Sequence, residues 1–206
     1  MAANIDAVRD ALTPYHSKIH ACVIGGFSEW RDMQNYRVSK GYSPNLYSRT
    51  NSNDIFDAIV RRAIPILGSE DKVSVKIEAQ TAKFIFRGLV ARFKKAGDDG
   101  LGCNIPTQAA MAFMDADRTL PGLPPETAKI ELIWEPNDIW TQVERVLVVA
   151  RDGDRLLWEY EIVANAGDDA LTPIMPFGPN DGSDDDVDAS DLITPKIKPQ
   201  ARPEVK

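Results

Sequence analysis

The chain has 206 residues, 24 basic and 31 acidic, with a formal net charge of −7, 43% hydrophobic residues and 27% charged ones. This is the composition of an ordinary globular domain with enough chain to bury a real core. Its acidity argues against wholesale binding of nucleic acid or anionic membrane through bulk charge and leaves room only for a local basic face. Two cysteines, Cys22 and Cys103, are too few for a Cys₄ zinc site or a disulfide framework. No run approaches the about 18 apolar residues of a membrane span. Met1 to Asp10 carries two acids and no apolar stretch, so it does not read as a secretory signal, and the expected compartment is a reducing cytoplasm.

Residues 1–68 read as helical. Asn4 is a cap for a short helix through Leu12, with Asp6 in the first turn, where the helix dipole favours an acid. Thr13-Pro14 signals a restart, a cap residue followed by proline at the first helical position. Ile19, Cys22, Val23, Gly26, Phe27, Trp30 and Met33 then recur at spacings of three and four, one apolar helical stripe. Gly25-Gly26 interrupts it and predicts a kink or a close helix contact. Gly41, Pro44 and Asn45 mark a loop. Ser52 or Asn53 is the expected cap of a further helix with the stripe Ile55, Phe56, Ile59, Val60 and Ala63, which Pro65 ends or bends.

Residues 69–165 change period and are expected to join the helices in one globular unit. Val73, Val75 and Ile77 alternate with polar residues, as in a half-buried strand. Lys83 to Lys94 reads as one longer strand with a bulge or close approach at Gly88. A Gly- and Asp-rich loop spans Ala96 to Gly102. Thr107 to Ala116 reads as a short helix, Leu120 to Pro125 as a proline-rich connection and Lys129 to Trp134 as a strand. Arg145–Ala150 and Arg155–Ile162 flank Asp152-Gly153, a strong hairpin signal. The expected fold is α+β, with N-terminal helices packed on a mainly antiparallel sheet of about five strands and one inserted short helix.

Residues 166–206 form a third part. They hold nine acids, four bases and six of the 14 prolines. Such a stretch buries too little apolar surface to offset its ordering entropy and reads as an extended acidic tail. Asp184, Asp185, Asp186 and Asp188 are its candidate docking residues, for a basic surface of a partner. The spacing of an EF-hand calcium loop is absent.

Candidate chemistry is sparse. His16 and His20 have the i, i+4 spacing of an HExxH zinc helix, but Ser17 stands where the glutamate would be, and a partly exposed helix face explains them. Glu78, with Asp54, Asp57 and Asp71 upstream, lacks the acid-x-Lys pattern of a metal nuclease. Neither GxSxG nor GxxxxGK[ST] occurs. No catalytic residue, metal or cofactor is therefore expected. Arg87, Arg92, Lys94 and Lys95 cluster on the expected long strand among Phe84, Phe86 and Phe93. Arg92 and Lys94 share a face and so present two cations to a carboxylate or phosphate. A solvated sheet face or a lysine-guarded edge strand also accounts for them, and the overall acidity of the chain favours that reading. Asn104, Thr107 and Gln108 open the short helix, where Asn104 or Thr107 serves as cap and the polar string is a candidate recognition surface. Trp134, Trp140 and Trp158 are candidate interface anchors, although a tryptophan on an alternating strand is more often core.

The ordered pieces Ser48-Arg49-Thr50, Arg92-Phe93-Lys94-Lys95, Asn104-Ile105-Pro106-Thr107-Gln108, Leu120-Pro121-Gly122-Leu123-Pro124 and Trp158-Glu159-Tyr160-Glu161 resemble a family of uncharacterised bacterial proteins. Members are often encoded beside a helix-turn-helix protein carrying an ImmA/IrrE-type metallopeptidase domain. The resemblance covers about Arg49 to Ile162 and implies a two-gene toxin–antitoxin or phage-defence module. The expectation is a component that binds the protein encoded by a neighbouring gene, with no membrane partner. The alternative is a toxin that binds or cleaves nucleic acid through Arg92, Lys94 and Lys95.

Overall fold

A computed structural model describes residues 4–78 and 81–163. The acidic tail, with Asp184, Asp185, Asp186 and Asp188, lies outside the described residues, as does the tail-docking expectation placed on it.

The helices follow from local chemistry. Asn4 caps α1 (Ile5–Leu12), its Oδ1 accepting from the Asp6 and Ala7 amides at 2.9 and 3.3 Å. Thr13–Tyr15 forms one 3₁₀ turn with Pro14 near its start and leads into α2 (His16–Ser39). Ile19, Cys22, Val23, Gly26, Phe27 and Trp30 are buried along α2, and the buried stripe stops there, since Met33 is exposed. At the far end Gly41 adopts φ +75°. Its amide donates to the Val38 carbonyl at 2.9 Å, and the Tyr42 amide donates to the Arg37 carbonyl at 3.0 Å. This is a Schellman cap, which needs a residue tolerant of the left-handed conformation.

The next helix, α3 (Ser48–Gly68), begins a turn before the expected caps Ser52 and Asn53. Tyr47 at its cap position makes no side-chain bond, and the Ser52 hydroxyl instead donates back to the Ser48 carbonyl at 3.1 Å. Pro65 does not end the helix. It removes one N–H, and the helix continues to Gly68 because Leu67 in the last turn is fully buried. The two long helices meet at Gly26, where a Cβ would lie 2.6–2.9 Å from Cγ1, N and Cα of Ile59. Gly26 is thus explained by close helix contact, whereas Gly25 faces only the Arg62 side chain.

Six strands form one sheet in chain order: β1 (Ser74–Glu78), β2 (Thr81–Phe86), β3 (Leu89–Lys95), β4 (Ala128–Pro136), β5 (Val143–Asp152) and β6 (Arg155–Glu161). All neighbours are antiparallel except β3 and β4, which run parallel. The architecture is α+β, with one strand more than expected. The reason is that Lys83–Lys94 is a hairpin: Phe86 pairs with Leu89, and Arg87-Gly88 is the turn, with Gly88 at φ +76°. α4 (Gln108–Met114) lies in the β3–β4 connection, as the long link between parallel strands allows.

The main core lies between the helices and one face of the sheet, where Phe84, Ala91, Phe93, Ile130, Leu132, Trp134 and Val148 meet Leu12, Ile19, Val23, Ile55 and Ile59. The second face is also covered along its centre. Val90 packs with Phe113 of α4 and Leu120, and Ile133, Leu147 and Val149 pack with Ala96 and Leu101. β4 and β5 are therefore apolar on both faces, as buried strands are. Among the described residues no helix is long and apolar enough to cross a membrane.

Candidate protein-binding surface

The parallel seam organises the second face. Its register sets Arg92 of β3 beside Glu131 of β4. Both are buried, at 4% and 1% exposure. Arg92 Nε and Nη2 donate to Glu131 Oε1 at 3.2 and 2.7 Å, and the guanidinium lies 4.1 Å from the centroid of the Phe113 ring. Arg151 of β5, buried as well, brings Nη1 within 3.5 Å of Glu131 Oε2 and donates to the Gly102 and Gly153 carbonyls. One carboxylate thus holds two guanidiniums. A buried charge set of this kind persists only when its hydrogen bonds are filled.

The 96–107 loop completes the set. The Gly102 amide donates to Glu131 Oε2 at 3.2 Å, and Asn104 Nδ2 donates to Glu131 Oε1 at 3.1 Å and to the Gly102 carbonyl at 2.7 Å. A Cβ on residue 102 would sit 2.5 Å from Glu131 Oε2, so this glycine is required for the approach. The Cys103 amide donates to the Lys95 carbonyl at 2.8 Å, and Ala96 bridges Gly102. Thr107 then caps α4, its hydroxyl accepting from the Ala110 amide at 3.2 Å. Capping and anchoring are therefore divided: Thr107 starts the helix and Asn104 ties the loop to Glu131.

What this anchored segment offers outward is apolar. Ile105 is 78% exposed and Met111 is 46% exposed, with Pro106, Thr107 and Gln108 also exposed between them. Beside them opens a cleft of about 500 Å³ lined by Asp98, Asp99, Cys103, Asn104, Arg151 and Asp154, among others. Three acids line it, but among the described residues no three histidines, cysteines or acids come together as a metal site would require.

The basic strand does not form the exposed grip expected of it. Arg87 sits apart in the β2–β3 turn, exposed. Arg92 is internal, neutralised by Glu131, because α4 and the loop cover this side of the sheet. Lys94 shares its face and is half-buried. Burial, and then the neighbouring Arg92 charge, push its pKa below the ordinary lysine range against the pull of Glu131 and Cys103. Lys95 points to the opposite face, its ammonium 5.4 Å from the Trp140 ring centroid. Trp134 is fully buried, Trp140 is partly buried and packs against Trp30 and Trp134, and Trp158 stacks on Tyr160. The tryptophans serve packing in place of the anchoring considered for them. Glu78 pairs with Lys83 at 2.8 Å, and Asp57 with Arg61 at 3.4 Å. His16 Nε2 lies 3.1 Å from the Tyr160 hydroxyl.

Glu131 and Arg151 were not singled out by the sequence, and Ile105 entered only as part of the string Asn104–Gln108. A lone glutamate inside the apolar run Ile130–Trp134 was the available signal for the first, since a strand buried on both faces must pair any charge it carries. No family model matches the chain, and neither a curated protein nor a solved structure is detectably similar to it.

Proposed function

We propose that this chain is the protein-binding component of a bacterial toxin–antitoxin or phage-defence pair, acting in the cytoplasm on the protein encoded by a neighbouring gene, of the ImmA/IrrE-linked kind. The observation that supports protein binding is the 78% exposure of Ile105 on a loop whose preceding residue, Asn104, is bonded to buried Glu131. An apolar side chain held out on a fixed backbone loses little entropy on docking. Burying it contributes about 1.5–3 kcal/mol. Met111 extends the apolar surface, and Gln108 supplies a polar rim.

Mixing the purified chain with the neighbouring gene product in a calorimeter tests this reading. Association is expected at micromolar concentration, and Ile105→Asp is expected to weaken it at least about tenfold while leaving the melting temperature unchanged. No association at that concentration refutes it. The alternative, nucleic-acid contact through Arg92, Lys94 and Lys95, has lost its geometric support, since Arg92 is occupied internally. Replacing Arg92 would remove two of the five donors that hold buried Glu131, so lost activity in such a variant would report a destabilised fold.

A further inference from the structure

The hairpin formed by α2 and α3 ends in a surface that the packing of the fold does not use. From Met33 to Asn53 the sequence contains Arg37, Lys40 and Arg49 and no acid, in a chain of net charge −7. Among the described residues none of the three cations has a carboxylate within 4 Å, whereas Arg61, Lys83, Arg92 and Arg145 each has one. Arg37 reaches a single acceptor, the Ser43 carbonyl, at 3.5 Å, and its Nε has none. Of the two acids that flank this stretch, Asp32 and Asp54, the second accepts from Asn45 Nδ2 at 3.3 Å.

Three tyrosines stand among these cations. Tyr36, Tyr42 and Tyr47 are 61%, 63% and 58% exposed, and Leu46 is 83% exposed. Lys40 lies 5.5 Å from the Tyr36 ring centroid and Arg49 lies 5.5 Å from that of Tyr47, so each of these rings has a cation beside it. The Schellman cap at Gly41 fixes the turn that carries them. Exposed rings interleaved with cations that no described carboxylate neutralises are the arrangement that stacks bases while neutralising the phosphates between them.

We propose that the tip of this helical hairpin, Tyr36 to Arg49, is a binding surface for single-stranded nucleic acid. The tip belongs to the helices that cover one face of the sheet, whereas Ile105 belongs to the loop over the other, so the two surfaces are separate. The proposal favours a polynucleotide over an acidic protein because three planar side chains accompany the charge. An acidic peptide would need the charge alone.

Fluorescence anisotropy of a labelled oligothymidylate with the full chain tests this. Binding is expected at low salt, with a log–log salt slope of about −2 for three phosphate contacts on a single strand. R37A/K40A/R49A is expected to abolish binding, and Tyr36→Ala, Tyr42→Ala and Tyr47→Ala are expected to weaken it about tenfold each. Thermal melts confirm that these surface variants are folded. Ile105→Asp is expected to bind the oligonucleotide as wild type does, which separates this test from that of the protein-binding surface. No binding at low salt, binding retained by the triple variant, or equal affinity for polyglutamate overturns the proposal; the last outcome identifies an acidic-protein site.

Discussion

Replacing Glu131 by glutamine leaves the side-chain volume almost unchanged and removes one charge. In the native protein five donors converge on this carboxylate: Arg92 Nε and Nη2, Asn104 Nδ2, the Gly102 amide and, at 3.5 Å, Arg151 Nη1. Glutamine retains one acceptor oxygen and turns an NH₂ group toward donors that then have no partner. Arg92 and Arg151 remain charged, with side chains 5% and 7% exposed. Removing one partner of a buried ion pair costs about 3–5 kcal/mol. For a domain of this size that corresponds to a fall in melting temperature of about 6–20 °C. Urea titration followed by tryptophan fluorescence and circular dichroism measures it, with an unchanged m-value showing that the unfolding transition is otherwise the same. A loss below about 1 kcal/mol would refute the argument that this carboxylate holds the seam. Replacing the whole set, R92M/E131L/R151M, is expected to recover most of the loss, because an apolar substitute removes the desolvation cost along with the attraction.

Two further outcomes follow from other parts of the fold. Gly26→Ala places a methyl within 2.6–2.9 Å of Ile59 and is expected to destabilise by about 1–3 kcal/mol. Gly25→Ala meets only the Arg62 side chain, at 3.2–3.3 Å, and is expected to be neutral or to stabilise by up to about 1 kcal/mol; thermal melts of both decide it. His16 is held below the ordinary histidine pKa, first by burial and then by Arg9, and His20 by burial. Because the unfolded state binds protons more readily, their contribution to stability is complete above about pH 6.5 and is lost as pH falls through the folded values. The urea midpoint is expected to fall between about pH 7.5 and 5.5 more in wild type than in H16Q/H20Q, and equal falls would contradict the assignment.

The helices were legible because their signals are local. Asn4 caps, the 3.6-residue stripe from Ile19 to Trp30 packs, and Gly26 marks the helix crossing. The β2–β3 hairpin was legible in principle. On the face of the main core Phe84 and Phe86 are even-numbered, and Leu89, Ala91 and Phe93 are odd-numbered, so the alternation changes phase across Arg87-Gly88. A two-residue turn does this, and a continuous strand does not. The fate of Arg92 was not legible. Its partner lies 39 residues away, across a parallel register that no local pattern specifies. The aromatic and basic residues between Tyr36 and Arg49 were visible as letters, but their joint exposure depends on where the buried stripe of α2 stops.

Every strand of the sheet joins its neighbour through a short reversal except at one place, where residues 96–127 separate β3 from β4. The sheet is therefore two runs of consecutive hairpins closed by a single zipper. Arg92 sits on one side of that zipper and Glu131 on the other. Cutting the long connection would yield two fragments that carry complementary halves of a charge lock, a natural division for reassembling the protein from separately made pieces.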